Sequence, residues 1–305
     1  MSKSAKKWLL AAAFLVVTGV IIIAVVSAYH WEFTDLGAEK RETSTYVIRE
    51  DFQSIKVDTD TADILFAVSD DDTCRAVCCA EKKIKHSVDV REGTLTIRVT
   101  DDRAWYEQIG LNFRSPKVTV YLPKTEYASI VMEAGTGDIE IPNAIKVDRA
   151  DISLSTGDIR IGHMSAGTLE LSSSTGEITV SDVSCRGDIR IDVTTGEVDL
   201  ENVTCQNLSS GGSTGDVSLE DVIAAEKIYV ERSTGNVEFE DADAAGLFVK
   251  TSTGDVVGSL RTEKVFVTET STGDISVPKT AAGGKCEIMT STGDIRIELS
   301  DGTKG

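Results

Sequence analysis

The chain has 305 residues, 41% of them hydrophobic, enough for one large core or two ordinary domains. Its 31 basic and 50 acidic side chains leave a formal charge of -19, which argues against nucleic acid as a partner, because phosphate binding needs clustered Lys and Arg. Three histidines and six cysteines without zinc-type spacing argue against a transition-metal site, so no cofactor is expected and calcium is the one ion to weigh.

Taken in chain order, residues 1–7 carry Lys3, Lys6 and Lys7, and residues 8–28 read "WLLAAAFLVVTGVIIIAVVSA" without a charge. At about 1.5 Å per residue that run spans roughly 30 Å, one hydrocarbon core. Positive charge precedes it and acidic residues follow from Glu32, which predicts a transmembrane signal-anchor helix with residues 1–7 in the cytoplasm. The chain is thus expected at the cell membrane, single-pass, with its C-terminal domain extracytoplasmic. A cleaved signal peptide is the rival reading, since Val26-Ser27-Ala28 resembles a small-residue cleavage site. This apolar run is longer than the about 7–15 residues usual there. Residues 29–43 read as a linker.

Residues 44–128 lack a strict period but alternate like strands in "FQSIKVDTDTADILFAV", "GTLTIRV" and "PKVTVYLP". Ala62-Asp63-Ile64 stands where a Gly-Asp-Ile could stand in the repeats that follow. We read this region as irregular first coils that cap a stack, since an open sheet end invites aggregation. "DDRAWYEQIGLNF" (101–113) is expected to be a loop or cap in which Trp105, Tyr106 and Phe113 cover the end of the core.

Residues 129–299 hold the regular part. Thr-Gly followed by Asp, Glu or Asn recurs at Gly137, Gly157, Gly176, Gly196, Gly215, Gly235, Gly254, Gly273 and Gly293, always 19 or 20 residues apart. Positions +2 and +4 from each Gly are apolar, with Gly258 the exception at +4, and -7 and -5 behave the same way in most repeats, as in Ile130 and Met132, Leu169 and Leu171, or Leu247 and Val249. That period of two gives strands with one buried face. The Val265-Phe266-Val267 stretch reads as a parity shift with a bulge. Helical repeats have longer periods and do not tolerate this Gly density. The fold class is therefore all-β, a β-solenoid with coils of 19–20 residues preceded by one transmembrane helix. Nine coils rising about 4.8 Å each make a rod on the order of 40 Å long. The tail 300–305 follows a last coil that is begun and not finished, which leaves an edge for docking or for self-association through the solenoid end.

"KVTVYLPKTEYASIVMEAGTGDIEI", followed by repeated S-T-G-D-I/V, resembles the bacterial "putative adhesin" β-strand-repeat family, a domain of unknown function. The likeness runs over about residues 52–299. It implies a β-solenoid ectodomain, often membrane-tethered, in a cell-envelope setting, and it supplies no catalytic residues.

The +1 column is acidic: Asp138, Asp158, Glu177, Glu197, Asp216, Asp255, Asp274 and Asp294, with Asn236 between. Stacked like charges repel. They are offset either by backbone N–H groups of the turn or by calcium bridging the coils. Asn143, Asp182, Asn202, Asp221 and Asp241 form a second polar turn column that adds oxygens. The turn Gly is expected at positive φ, and the Thr before it is expected to point inward as a hydrogen-bonded ladder. Outward at -6, Tyr229, Phe248 and Val267 would form an apolar stripe on three adjacent coils, a candidate partner surface. Cys185 and Cys205 share position +9 and are a candidate disulfide. Coils varying by one residue wall no groove, and no Ser/His/Asp set or phosphate loop stands out. The expected function is a non-enzymatic binding, adhesion or scaffold module whose partner is an envelope protein or cell-wall polymer. A polysaccharide-active β-helix enzyme and a calcium-stabilised envelope sensor are the alternatives.

Overall fold

The computed structural model describes residues 41–81, 84–101, 115–123 and 126–300. The expected membrane span at 8–28, the linker up to residue 40, the aromatic cap residues Trp105, Tyr106 and Phe113, and residues 301–305 lie outside them. No helix among the described residues is long and apolar enough to cross a membrane.

The described residues form twenty-two strands and no helix. The first seven are β1 (Arg41–Ile48), β2 (Ser54–Thr61), β3 (Asp63–Val68), β4 (Cys74–Glu81), β5 (Ile84–Arg91), β6 (Thr94–Asp101) and β7 (Lys117–Leu122). The repeats supply β8 (Glu126–Thr136), β9 (Ile139–Ile141), β10 (Ile145–Thr156), β11 (Ile159–Gly162), β12 (Met164–Thr175), β13 (Ile178–Cys185), β14 (Ile189–Thr195) and β15 (Val198–Thr214). They continue with β16 (Val217–Thr234), β17 (Val237–Thr253), β18 (Val256–Leu260), β19 (Lys264–Thr272), β20 (Ile275–Ser276), β21 (Gly284–Thr292) and β22 (Ile295–Leu299).

The coils stack in parallel, residue on residue: Ile152 pairs with Leu171, and Thr156 with Thr175. Positions -7, -5, +2 and +4 face inward as their period demands, and Ile130, Met132, Ile139, Ile141 and Ile152 are fully buried. Each such aliphatic side chain contributes about 1.5–3 kcal/mol on burial. A third inward run sits at +7 and +9, where Met164, Ala166, Val183, Cys185, Val203, Cys205, Val222 and Ala224 are buried. Each coil therefore has three faces, not two. The corner before this third face is the second polar turn column. His163, Asp182, Asn202, Asp221 and Asp241 all lie there at φ 51–53°. Asn and Asp are the side chains that best tolerate that left-handed conformation, and Asn143, the first member of the column, is not in it. The extra residue of a 20-residue repeat falls beyond +9, as the shift between Ala224 and Lys227 shows.

The order of coils in space departs from the order in the chain at both ends. β2 lies between β6 and β8, so the 54–68 coil is inside the 94–122 coil. At the other end β21 and β22 pack on β17 and β18, while β19 and β20 lie outside them. Eleven coils result, a stack of about 48 Å at 4.8 Å per step. The inferred bulge at 265–267 is absent. Phe266 pairs with Cys286 and Thr268 with Ile288, in the standard parity. What is irregular is the position of the whole coil. Its inward side carries Thr268 and Thr270 and its second strand stops before Pro278, which cannot donate to a ladder. The coil bearing Cys286, Ile288, Ile295 and Ile297 takes the interior place, where all four are buried. The more apolar layer gains more from being covered on both sides.

The Gly corner tolerates no side chain. Gly215 has φ 132°, and a Cβ there would come within 1.9 Å of the Gly196 carbonyl oxygen. Gly215→Ala is expected to cost about 1–3 kcal/mol, read as a lowered urea midpoint with the circular dichroism of the folded form retained.

Candidate functional site

The repeated Thr-Gly-Asp corner is built from hydrogen bonds between coils. Eight of the nine corner Gly N–H groups, all but Gly273, donate to the Thr carbonyl of the next coil, as Gly157 does to Thr175 at 3.0 Å. The +1 carboxylate then accepts the N–H of its counterpart in the adjoining coil. Asp63 Oδ1 accepts from Asp138 at 3.2 Å, Asp138 from Asp158 at 3.0 Å, and Asp158 from Glu177 at 2.9 Å. The ladder resumes with Asp216 accepting from Asn236 at 2.7 Å and Asn236 from Asp255 at 2.9 Å. It then follows the exchanged coil order, Asp255 accepting from Asp294 at 2.8 Å and Asp294 from Asp274 at 2.7 Å. Ala62-Asp63 is the first rung, as its place in the sequence suggested. The bonds run between coils, whereas a local Asx turn would keep them within one.

The ladder lapses where Glu replaces Asp. Glu177 instead accepts from the Thr179 hydroxyl at 3.0 Å. Asp199 sits nearby, its pKa raised first by burial and then by the carboxylates of Glu177, Glu197 and Asp216. Elsewhere cations relieve the column: Arg160 lies 2.6 Å from Asp158, and Arg296 pairs with Asp294. Among the described residues no three His, Cys, Asp or Glu side chains are grouped to hold a metal ion. The nine Thr side chains are exposed, from Thr136 to Thr292. The inward ladder expected of them is replaced by their carbonyls, because the chain turns before its parity would bring Thr inside.

On the outer face Tyr229 pairs with Phe248, and both are half-buried. Val267 does not continue the stripe. Glu287 follows Phe248 and Val267 follows Glu287, because the 284–299 coil is interposed. The two rings carry a cation: Lys227 Nζ lies 4.8 Å from the Tyr229 centroid and 4.6 Å from that of Phe248. The Tyr229 hydroxyl donates to Glu231 at 2.7 Å, which raises the Tyr229 pKa and lowers that of Glu231. Lys250 reaches the same carboxylate at 3.1 Å. The face is thus an aromatic pair under a lysine, bordered by an ion-paired glutamate.

Arg232 was not singled out in the sequence, although its -3 position shares the inward parity of -5 and -7. It is 2% exposed. Its guanidinium donates to Ser210 Oγ at 2.9 Å and to the Glu231 carbonyl at 3.0 Å. Burial pulls its pKa down to about 10, opposed by the Asp192 carboxylate. Gly212 makes the room, since a Cβ there would come 2.9 Å from the Arg232 Nη1.

All six cysteines are free thiols. Cys185 and Cys205 fall one position beyond the Ser184–Thr204 pair of adjoining coils and are unbonded. Burial pushes Cys205 up to about 12 and Cys286 up to about 12. Outside the core, a solvent-open depression of about 600 Å³ is lined by Val68, Ser69, Asp70, Asp72, Asn143 and Ala144. Asp71 beside it is lowered to about 2 by hydrogen bonds from the Thr73 and Ser69 hydroxyls.

Geometry of this kind defines a class: a parallel stack of short coils whose corner chemistry is repeated rather than unique. The chain belongs to the Toastrack DUF4097 family, which matches residues 52–256 and 188–304. It is similar to a solved "putative lipid binding protein" from Parabacteroides distasonis, 16% identical over 84% of this chain and 97% of that one, with a TM-score of 0.51. A "putative adhesin" from Bacteroides fragilis is 16% identical over 86% of this chain and 98% of that one, with a TM-score of 0.49. At such identity the likeness to the first extends to the fold alone. No curated protein matches the chain.

Asp158→Asn keeps an acceptor, as Asn236 does, and is expected to shift stability by less than about 0.5 kcal/mol, whereas Asp158→Ala loses about 1 kcal/mol. Urea denaturation compares the two. A melting temperature that climbs with millimolar calcium would instead assign a cation to the column. For the thiols, Ellman's reagent is expected to reach half-buried Cys79 first and the other five only on unfolding. A total of four after unfolding would mean that Cys185 and Cys205 have paired.

Proposed function

We propose that this chain is a non-enzymatic binding or adhesion module of the cell envelope, displayed outside the membrane by the apolar segment 8–28. One observation carries the reading. The recurrent polar chemistry of the coil is spent on the coil: the corner carboxylates accept main-chain N–H bonds, and coils of 19 or 20 residues offer long continuous faces. A repeated scaffold of this sort suits an extended partner better than a small substrate. The Tyr229–Phe248 face is the side-chain surface of choice, since two half-buried rings with a lysine between them offer both apolar contact and charge. The fold is shared with a protein described as lipid binding, so lipid vesicles belong in the test beside envelope polymers.

The test uses the full chain in detergent, immobilised and challenged with cell-wall polymer, solubilised envelope proteins and lipid vesicles. Saturable retention of one of these, reduced at least tenfold by the double variant Tyr229→Ala, Phe248→Ala, is the expected result. Retention of none overturns the reading, and shortening of a glycan chain would replace it with an enzymatic one.

A further inference from the structure

We propose that the open coil formed by β19 and β20 is a docking edge for an extended, basic, alternately apolar segment of another polypeptide. The inference rests on the reading of the chain as a binding module and names its partner surface.

The two ends of the stack are finished differently. At one end β5 runs antiparallel on β6 and β4 antiparallel on β7, with β1 antiparallel on β4. At the other, β19 pairs with β21 and β20 with β22, and neither has a second partner among the described residues. Such an edge is a template for another strand. It is also apolar. Val265 is 39% exposed, Val267 49% and Ile275 46%, three of the four exposed large hydrophobics among the described residues. The fourth, Val47, is on β1. Phe266 and Val277 are only partly covered.

The corner ladder supplies a second, independent observation. It has a direction. In the stack from Gly137 to Gly293 each coil presents a Gly N–H and the +2 N–H to the next one, which answers with two carbonyls, and where +1 is Asp or Asn a side-chain oxygen there accepts an N–H as well. Asp274 donates its own N–H to Asp294 at 2.7 Å. Beyond it, the Asp274 carboxylate and the N–H groups of Gly273 and Ile275 face no further coil among the described residues. The open end therefore asks for an extended main chain running parallel to β19 and β20.

The occupant follows by exclusion and by charge. Residues 301–305 read Asp-Gly-Thr-Lys-Gly and hold no apolar side chain to seat on that edge. Residues 1–40 join β1 at the opposite end, about 48 Å away, and once 8–28 is held in the membrane the twelve residues 29–40 reach at most about 43 Å. A second copy meets this face in two ways. Head to tail, it would meet β1 and β5, which run antiparallel to the strands they pair with, so the parallel ladder would not continue. Head to head, it brings N–H donors towards N–H donors and repeats Glu263, Glu269 and Asp274 against themselves. Those three carboxylates have no side-chain partner among the described residues, on a chain of charge -19. A strand with Lys or Arg between its apolar residues answers both the ladder and the charge.

The experiment uses the full chain in detergent and a fluorescent nine-residue peptide of alternating Lys or Thr and Val. Anisotropy is expected to show saturable binding that weakens at least tenfold when Glu replaces Lys in the peptide. Val267→Lys and Ile275→Lys, both at exposed positions, are each expected to weaken it tenfold with an unchanged melting temperature. Absence of saturable binding, or equal binding by these variants, overturns the proposal. So does sedimentation showing a wild-type dimer that Val267→Lys dissociates, which would seat a second copy on the edge. If the variants keep full retention of an envelope component, the edge falls and the binding reading stands. If wild type retains none, that reading falls by itself.

Discussion

An inward aliphatic pair on one coil is buried only when another coil lies on either side of it. Ile152 reaches zero exposure because Met132 and Leu171 occupy the same position one layer below and one above. The main chain obeys the same condition, since a parallel ladder satisfies its N–H and C=O groups only through its neighbours. Stability is accordingly a sum over contacts between coils, with little available to a coil alone. The Gly corner belongs to this requirement: coils close enough to share the ladder leave no space for a Cβ at Gly196 or Gly215.

The same condition explains the exchange of coils at both ends. An interior layer is covered twice and a terminal layer once, so free energy falls when the more apolar coil moves inward. Cys286, Ile288, Ile295 and Ile297 gain from that exchange more than Phe266, Thr268, Thr270 and Ile275 lose. Chain order is the cheaper thing to violate, because a crossing needs only the short segments 261–263 and 277–283. Arg261 ties one of them down, at 2.5 Å from Asp221 and 2.9 Å from the Asp241 carbonyl. The exchange separates Val267 from Phe248 and leaves the valines on an open end.

Acidity and stacking look incompatible until the hydrogen bonds are followed. One oxygen of each Asp in the column except the terminal Asp274 takes an N–H of the adjoining coil, and a longer Glu does not reach it, so Glu177 turns to Thr179. Asn236 serves as well as Asp because the role is that of an acceptor and needs no charge. Arg232 reverses the usual placement of charge. It is tolerated inside because Gly212 clears space and Ser210 and a carbonyl accept hydrogen bonds from its two terminal nitrogens, although its Nε has no partner among the described residues.

The sequence by itself determined the period, the strand parity and the corner. Spacings of 19 and 20, apolar residues at -7, -5, +2 and +4, and Ala62-Asp63 as a rung are local facts, and side-chain alternation carries them. The third face was legible too, in the small apolar residues at +7 and +9, but a chain bending at left-handed Asp182 or Asn202 gives no period that crosses the bend. Only the tertiary structure decided which coil touches which. Repeats so alike can stack in several orders with the same local pairing, and the choice rests on which layer is covered from both sides. The N–H donor to each corner carboxylate, the break in the Tyr229–Phe248–Val267 stripe and the identity of the open edge all follow from that choice. None of them is a property of residues close in sequence.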